Sequence, residues 1–173
     1  MTDVLTNQAE EIREFLVSAG IPLLEDSVLS SEEYLSFALP LAADADYAFR
    51  LWLHPDGERQ ISAVIAGTED TATTELYFWH HPFEIPDYDS IEELNQAFMD
   101  TIVLLASHET RIVQEKKALT WEFSCEAKSA GTWRHVFSDV ALSFTNFVFP
   151  SIDGRTKIYS SPALLAASKE TEE

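Results

Sequence analysis

The chain has 173 residues, 46% of them hydrophobic and 12% aromatic, which is enough to bury a core without disulfides. Its formal net charge of −19 disfavours binding to nucleic-acid phosphates or to an anionic membrane surface. The single cysteine, Cys125, excludes an intrachain disulfide framework and is typical of a reducing compartment. Because the sequence also lacks a secretory signal pattern and a long apolar run, we expect a cytoplasmic protein.

The first half of the chain predicts one helix and then a series of strands. An apolar stripe at helical spacing predicts an amphipathic helix over residues 3–19, which ends at Gly20. Alternating apolar residues predict strands over 34–39 and 47–53. A Pro-Asp-Gly turn follows, and residues 61–65 return as the partner strand of a hairpin.

A further strand and a second helix follow. Residues 75–81 are rich in aromatic and β-forming side chains, and Pro82 and Pro86 are expected to end this strand because proline cannot donate to a ladder. Ser90 and Glu93 have the spacing of a capping box. They predict the start of the second helix.

The last third predicts a hairpin and a third helix. Strands are expected over 110–114 and 118–127. Thr132 would cap a helix that Pro150 ends. Its apolar stripe consists of Trp133, Val136, Phe137, Val140, Phe144 and Phe147. This spacing is typical of one helix face.

The predicted order of elements is α-β-β-β-β-α-β-β-α. Because hairpins dominate, we expect an α+β fold with a largely antiparallel sheet of about six strands and three main helices. The chain would form a single domain over 1–173, with a core over about 3–150 and a C-terminal extension over 151–173. Helices would cover one face of the sheet.

The sequence contains no recognisable catalytic or cofactor motif. The five glycines are too scattered to form a phosphate-binding loop, so we expect no cofactor. A metal site around His80, Glu84 and Asp87 would need these side chains to converge, and their spacing matches no known zinc pattern. Cys125 continues an apolar strand face and reads as an inert buried thiol. We therefore expect no enzyme and no bound metal, and keep a metal-dependent enzyme as one alternative.

Aromatic residues outside the predicted core stripes are candidates for partner binding. This set consists of Trp52, Tyr77, Trp79 and Tyr88. An exposed aromatic residue on a sheet face is common in protein interfaces. The alternative is that a second layer of structure covers that face.

Charge is distributed unequally along the chain. Residues 1–110 contain 22 acidic and 3 basic residues, an excess of 19, whereas residues 111–173 contain 8 of each. An acidic surface of this strength attracts basic proteins. The expected partner is therefore another protein with a basic or amphipathic segment, and neither nucleic acid nor a membrane.

The arrangement resembles the type III secretion chaperone-like fold, a group of bacterial secretion chaperones and related proteins described as sensory transduction regulators. Four segments carry the resemblance: the helix from Leu5 to Ala19, the Ser90-x-x-Glu93-Leu94-Asn95 helix, the strand from Leu119 to Cys125, and the helix from Trp133 to Phe147. The family usually has three strands before the middle helix, where this sequence predicts four. The resemblance implies a bacterial homodimer that binds segments of partner proteins and catalyses nothing.

Three functional hypotheses follow. The leading one is a non-catalytic, chaperone-like adaptor that binds segments of a partner protein. An alternative is an immunity-type or nucleic-acid-mimicking inhibitor of a basic protein. The third is the metal-dependent enzyme with a site near His80, Glu84 and Asp87.

Overall fold

The described part of the chain forms two antiparallel β-sheets and two long helices. A computed structural model describes residues 2–23, 29–30, 34–65, 77–116, 120–142 and 156–167. Within these residues the predicted α+β class is confirmed, but the single six-stranded sheet is wrong. A five-stranded sheet has the order β1-β2-β3-β4-β5, and a four-stranded sheet has the order β8-β7-β6-β9.

The bounds of the elements are as follows. The helices are α1 (Thr2–Ser18), α2 (Ile91–Ser107) and the single turn α3 (Leu164–Ala167), and a 3₁₀ turn spans Ile85–Asp87. The first sheet consists of β1 (Leu29–Ser30), β2 (Leu35–Ala38), β3 (Tyr47–Leu53), β4 (Arg59–Ile65) and β5 (Tyr77–Phe83). The second consists of β6 (Thr110–Lys116), β7 (Thr120–Ser129), β8 (Thr132–Leu142) and β9 (Lys157–Ser161).

Helix α1 ends at the glycine that the sequence indicates. Gly20 has a φ of 69°, and its amide donates to the carbonyl of Val17 at 3.0 Å. The amide of Ile21 donates to the carbonyl of Leu16 at 2.8 Å, and both of these side chains are buried. This pair of bonds is a Schellman motif with its hydrophobic contact, which turns the chain back into the core.

The central hairpin of the first sheet is confirmed. Strands β3 and β4 pair in register from Tyr47 opposite Ile65 to Leu53 opposite Arg59. Strand β5 continues through Pro82 to Phe83, so the prediction that Pro82 ends it is wrong. In the five-stranded sheet β5 is an edge strand. An edge strand accommodates proline at positions where the backbone N–H would point away from the sheet, because no neighbouring strand needs that donor.

The predicted cap of α2 is confirmed. The Ser90 hydroxyl accepts from the amide of Glu93 at 3.1 Å. The Glu93 carboxylate accepts from the amide of Asp89 at 2.9 Å, one residue before the expected partner. Both bonds satisfy backbone donors at the start of the helix.

The predicted third helix is wrong over the described residues, because Thr132–Leu142 is strand β8. It forms a hairpin with β7, and the two turn residues, Ala130 and Gly131, have φ values of 49° and 78°. Two consecutive positive φ values define a type I′ turn, which suits the twist of a two-residue hairpin. The rest of the predicted helix lies outside the described residues.

A β-bulge explains why the sequence of β8 has a helical period. Cys125 pairs with Phe137 but the adjacent Glu126 pairs with His135, which leaves Val136 as an extra residue. The extra residue breaks the two-residue alternation of a strand. Spacing between Trp133 and Phe137 then matches one helical turn by coincidence, which misled the prediction.

A strand from the predicted C-terminal extension completes the second sheet. Strand β9 pairs antiparallel with β6 and lies at the sheet edge. The amide of Asp46 donates to the carbonyl of Ser160 at 2.8 Å, and the amide of Ser160 donates to the Asp46 carboxylate at 2.7 Å. These reciprocal bonds fix β9 to the start of β3, so this segment is part of the packed structure.

One hydrophobic cluster joins the helices and both sheets. It includes Leu16 from α1, Phe49 from β3, Phe98 from α2 and Cys125 from β7, all buried. The hydroxyls of Tyr47 and Thr110 are 2.7 Å apart and connect β3 to β6 inside this cluster. Such a shared core is what makes two sheets fold as one unit.

Candidate protein-binding surface

Three loops and helix ends meet at one end of the first sheet. They are the β3–β4 turn, the 3₁₀ turn and the start of α2. Gly57 in the β3–β4 turn has a φ of 101°, and a Cβ atom built there would lie 2.8 Å from Ile91 Cδ1 and 3.7 Å from Ile85 Cδ1. The φ of Gly57 favours glycine here, and a Cβ atom would in addition displace the tip of the Ile91 side chain.

This end carries a group of carboxylates, which we call the acidic end. It consists of Glu11, Asp56, Glu58, Glu84, Asp87, Asp89, Glu92 and Glu93. All are exposed except Glu58, which is half-buried. Burial, and then the charges of Asp87 and Glu93, raise the pKa of Tyr88, so these carboxylates lie close enough to interact with its phenol.

The basic residue nearest to the acidic end is buried. Arg59 is 3% exposed, and its guanidinium donates to the carbonyls of Gly57 at 2.7 Å and Glu58 at 2.9 Å. Burial lowers its pKa, whereas the charges of Asp56 and Glu11 oppose that shift. Arg59 therefore braces the β3–β4 turn from inside, and its guanidinium is withdrawn from the surface that a partner would contact.

A second arginine of residues 1–110 is also buried. Arg50 is 7% exposed, and its guanidinium donates to the Ser36 hydroxyl at 2.9 Å. The third, Arg13, is exposed, with its guanidinium carbon 5.6 Å from the centre of the Phe37 ring. The described surface of residues 1–110 is therefore more uniformly acidic than the composition alone indicates.

Two basic residues of the segment 111–173, Arg111 and Lys128, form ion pairs with nearby carboxylates. The Arg111 guanidinium bonds to the Glu126 carboxylate at 2.5 Å, and the Lys128 ammonium bonds to the Glu109 carboxylate at 2.7 Å. Both cations also lie over the Trp133 ring, at 4.4 Å and 5.3 Å from its centre. These contacts form a cross-strand network on the second sheet.

Two large aliphatic side chains are exposed within the acidic end. Ile85 is 42% exposed and Ile91 is 36% exposed. Both approach Gly57, so they form one apolar patch bordered by carboxylates. The sequence pattern does not identify this pair, because only the contact between the β3–β4 turn and α2 brings the two residues together.

Trp52 is not the exposed residue that the partner-binding hypothesis needs. It lies on the face of β3 opposite the core stripe, as expected, but it is only 7% exposed. Tyr34 packs edge-on against it at 5.0 Å between ring centres, and the Arg50 guanidinium lies 6.0 Å from its ring. The alternative of a covered sheet face is the correct one at this position.

The other three aromatic candidates have different positions. Tyr88 is half-buried and packs on the core, with its ring 6.4 Å from that of Phe83. The backbone of Tyr77 and Trp79 belongs to β5, but their side chains lie outside the described residues. Of the aromatic candidates whose side chains the structure describes, Tyr88 is therefore the one that borders the acidic end.

The structure does not assemble the alternative metal site among the described residues. Glu84 and Asp87 are exposed on either side of Ile85, and the His80 side chain lies outside the description. No group of three or more His, Cys, Asp or Glu side chains in the described ranges is arranged to hold a metal ion. Cys125 is buried, and burial raises its pKa to about 12.

Comparisons with protein-family models, curated proteins and solved structures found no match to this chain. Of the helices in the described part, none has the length and apolar character needed to cross a membrane. The site must therefore be interpreted from its own chemistry.

Proposed function

We propose that the protein is a non-catalytic adaptor that binds a basic segment of another protein through the surface of residues 1–110. One observation carries this proposal: two of the three arginines in this segment are buried, so most of its described carboxylates face solvent and Arg13 is its one exposed arginine. A surface with one sign of charge accelerates encounter with a partner of opposite charge and selects against others.

The proposal includes a cytoplasmic location and a homodimer. The location is inferred from the single cysteine, and the dimer comes from the resemblance to secretion chaperones. One of the four segments that carry that resemblance, from Trp133 to Phe147, differs in type because its described part is strand β8. Light scattering tests the dimer independently of the binding proposal.

An immunity-type or nucleic-acid-mimicking inhibitor of a basic protein is the second candidate. The burial of Trp52 favours it, because one of the expected apolar contacts is absent from the surface and charge must supply more of the affinity. An adaptor that combines charge with apolar contacts should lose a moderate part of its affinity in salt. An inhibitor that depends on charge would lose much more.

The test is binding measured at two salt concentrations. Proteins captured from the native host would be purified and titrated against the protein at about 0.05 M and 0.5 M salt, where screening lengths differ roughly threefold. We expect tighter binding at low salt, and weaker binding after Asp56, Glu84 and Glu92 are changed to their amides. Glu122→Gln, an exposed position on the second sheet, is the matched control.

Two results would overturn the proposal. One is a captured partner whose affinity does not change with salt or with the three amide substitutions. The other is turnover of a substrate by the purified protein, since the proposal assigns no reaction to it.

A further inference from the structure

We propose that the Ile85–Ile91 patch is the docking point for a partner segment with one large apolar side chain between basic residues. This inference rests on the proposed function and adds the site and the chemistry of the occupant.

Large hydrophobic side chains of the described residues reach solvent at five positions. Among the described residues, Val17, Leu41 and Ile158 are also exposed, on α1, on the loop after β2, and on β9. Ile85 and Ile91 differ from these because both contact the position of Gly57 and so share one surface. An adjacent pair offers a contact for one inserted side chain, which a single exposed residue does not.

The shape of the patch is set by contacts that do not depend on a partner. Gly57 allows Ile91 to approach the β3–β4 turn, and buried Arg59 holds the turn by its carbonyls. Ser90 caps the helix that carries Ile91. The patch is therefore pre-organised, which reduces the entropy lost on binding.

The charge around the patch defines what flanks the inserted side chain. Glu84 and Asp87 lie on either side of Ile85 in the chain, and Glu92 follows Ile91. No exposed basic residue belongs to the described acidic end. Lysine or arginine on both sides of the apolar residue would complement these carboxylates, whereas an acidic or purely apolar segment would leave them desolvated and unpaired.

The location favours side-chain docking over strand addition. The patch lies on a turn, a 3₁₀ turn and a helix start, none of which offers a row of free strand donors and acceptors. Strand addition needs an exposed sheet edge. We therefore expect recognition of side chains, independent of the partner's backbone pairing.

The experiment uses two fluorescein-labelled synthetic peptides that differ at one position. One has a leucine with two lysines on each side, and the other has serine in place of leucine. Anisotropy would be measured with the full-length protein, with the double variant Ile85→Ser and Ile91→Ser, and with Val17→Ser, an exposed control that is 77% accessible. Circular dichroism melting would establish that each variant is folded, and Ile85→Ser alone replaces the double variant if that one does not fold.

We expect the leucine peptide to bind about tenfold more tightly than the serine peptide, a typical gain for burying one aliphatic side chain. The double variant should remove this difference, and Val17→Ser should preserve it. Equal affinities for both peptides, or a difference that survives the double variant, would overturn the docking site but leave the charge-driven function standing. The same titrations would be repeated at about 0.05 M and about 0.5 M salt. If neither peptide bound more tightly at the lower concentration, both the docking site and the charge-driven function would be contradicted.

Discussion

Changing Tyr47 to Phe tests the contact that joins the two sheets. The Tyr47 hydroxyl lies 2.7 Å from that of Thr110, which is 1% exposed. Removing the phenol oxygen leaves a buried threonine hydroxyl without this partner, at a cost of about 1–3 kcal/mol in the free energy of unfolding. Thr110→Val should have a similar cost for the converse reason.

The double variant Tyr47→Phe and Thr110→Val separates the hydrogen bond from the loss of each group. Because it removes both buried hydroxyls together, its destabilisation should be smaller than the sum of the two single effects by about 1 kcal/mol or more. Urea unfolding followed by circular dichroism measures all four proteins, with equal m-values as the check on two-state behaviour. Strictly additive effects, or a Tyr47→Phe variant as stable as the parent, would refute a buried bond between β3 and β6.

Three further predictions concern the turns, the helix cap and alkaline pH. Gly131→Ala should cost about 1 kcal/mol from its positive φ alone, because nothing lies within 4 Å, and Gly57→Ala should cost more because it also displaces Ile91, as urea unfolding would show. Ser90→Ala should lower stability by about 1 kcal/mol through loss of the α2 cap, and an unchanged midpoint would contradict that bond. The raised pKa of Cys125 keeps its thiol protonated in the folded protein, while the thiol of the unfolded chain ionises near pH 8.5, so stability should fall by about 1.4 kcal/mol per pH unit between about pH 8.5 and about pH 10. Above about pH 10 the buried phenol of Tyr47, whose pKa is also raised, adds to this loss. Cys125→Ala, measured under reducing conditions, should have a shallower decline with pH.

Local signals in the sequence were sufficient to predict the elements that are bounded by a turn, a C-terminal glycine or a capping residue. The β3–β4 hairpin, the end of α1 at Gly20 and the Ser90 cap of α2 all depend on neighbouring residues. In each case the backbone requirement is met by a residue type with a special property, such as the tolerance of positive φ by glycine. Such features are readable without knowledge of the rest of the fold.

Elements that depend on distant pairing were predicted less well. The bulge at Val136 gave β8 a helical spacing, and its strand identity depends on pairing with β7. Strand β9 is short and mixed in polarity, and it is stabilised by β6 and by Asp46, which is 114 residues from Ser160. The periodicity of the sequence contains no information about either kind of distant partner.

The candidate surface was predictable in its charge but not in its composition. Counting acidic residues located the segment that forms the candidate surface, whereas the burial of Arg50 and Arg59 and the exposure of Ile85 and Ile91 required the tertiary structure. Alternation along β3 placed Trp52 opposite the core stripe correctly. It could not reveal that this second face is also covered.

Because β9 comes late in the chain, it determines when during synthesis the pairing of β6 can be completed. During synthesis β6 leaves the ribosome more than forty residues before β9, so one side of β6 has no strand beside it until the last part of the domain is made. An unpaired strand edge can pair with other chains. Until β9 is made, Asp46 at the start of β3 also lacks its contact with Ser160. Truncation before Lys157 would leave that edge of β6 permanently unpaired, and we expect it to promote aggregation.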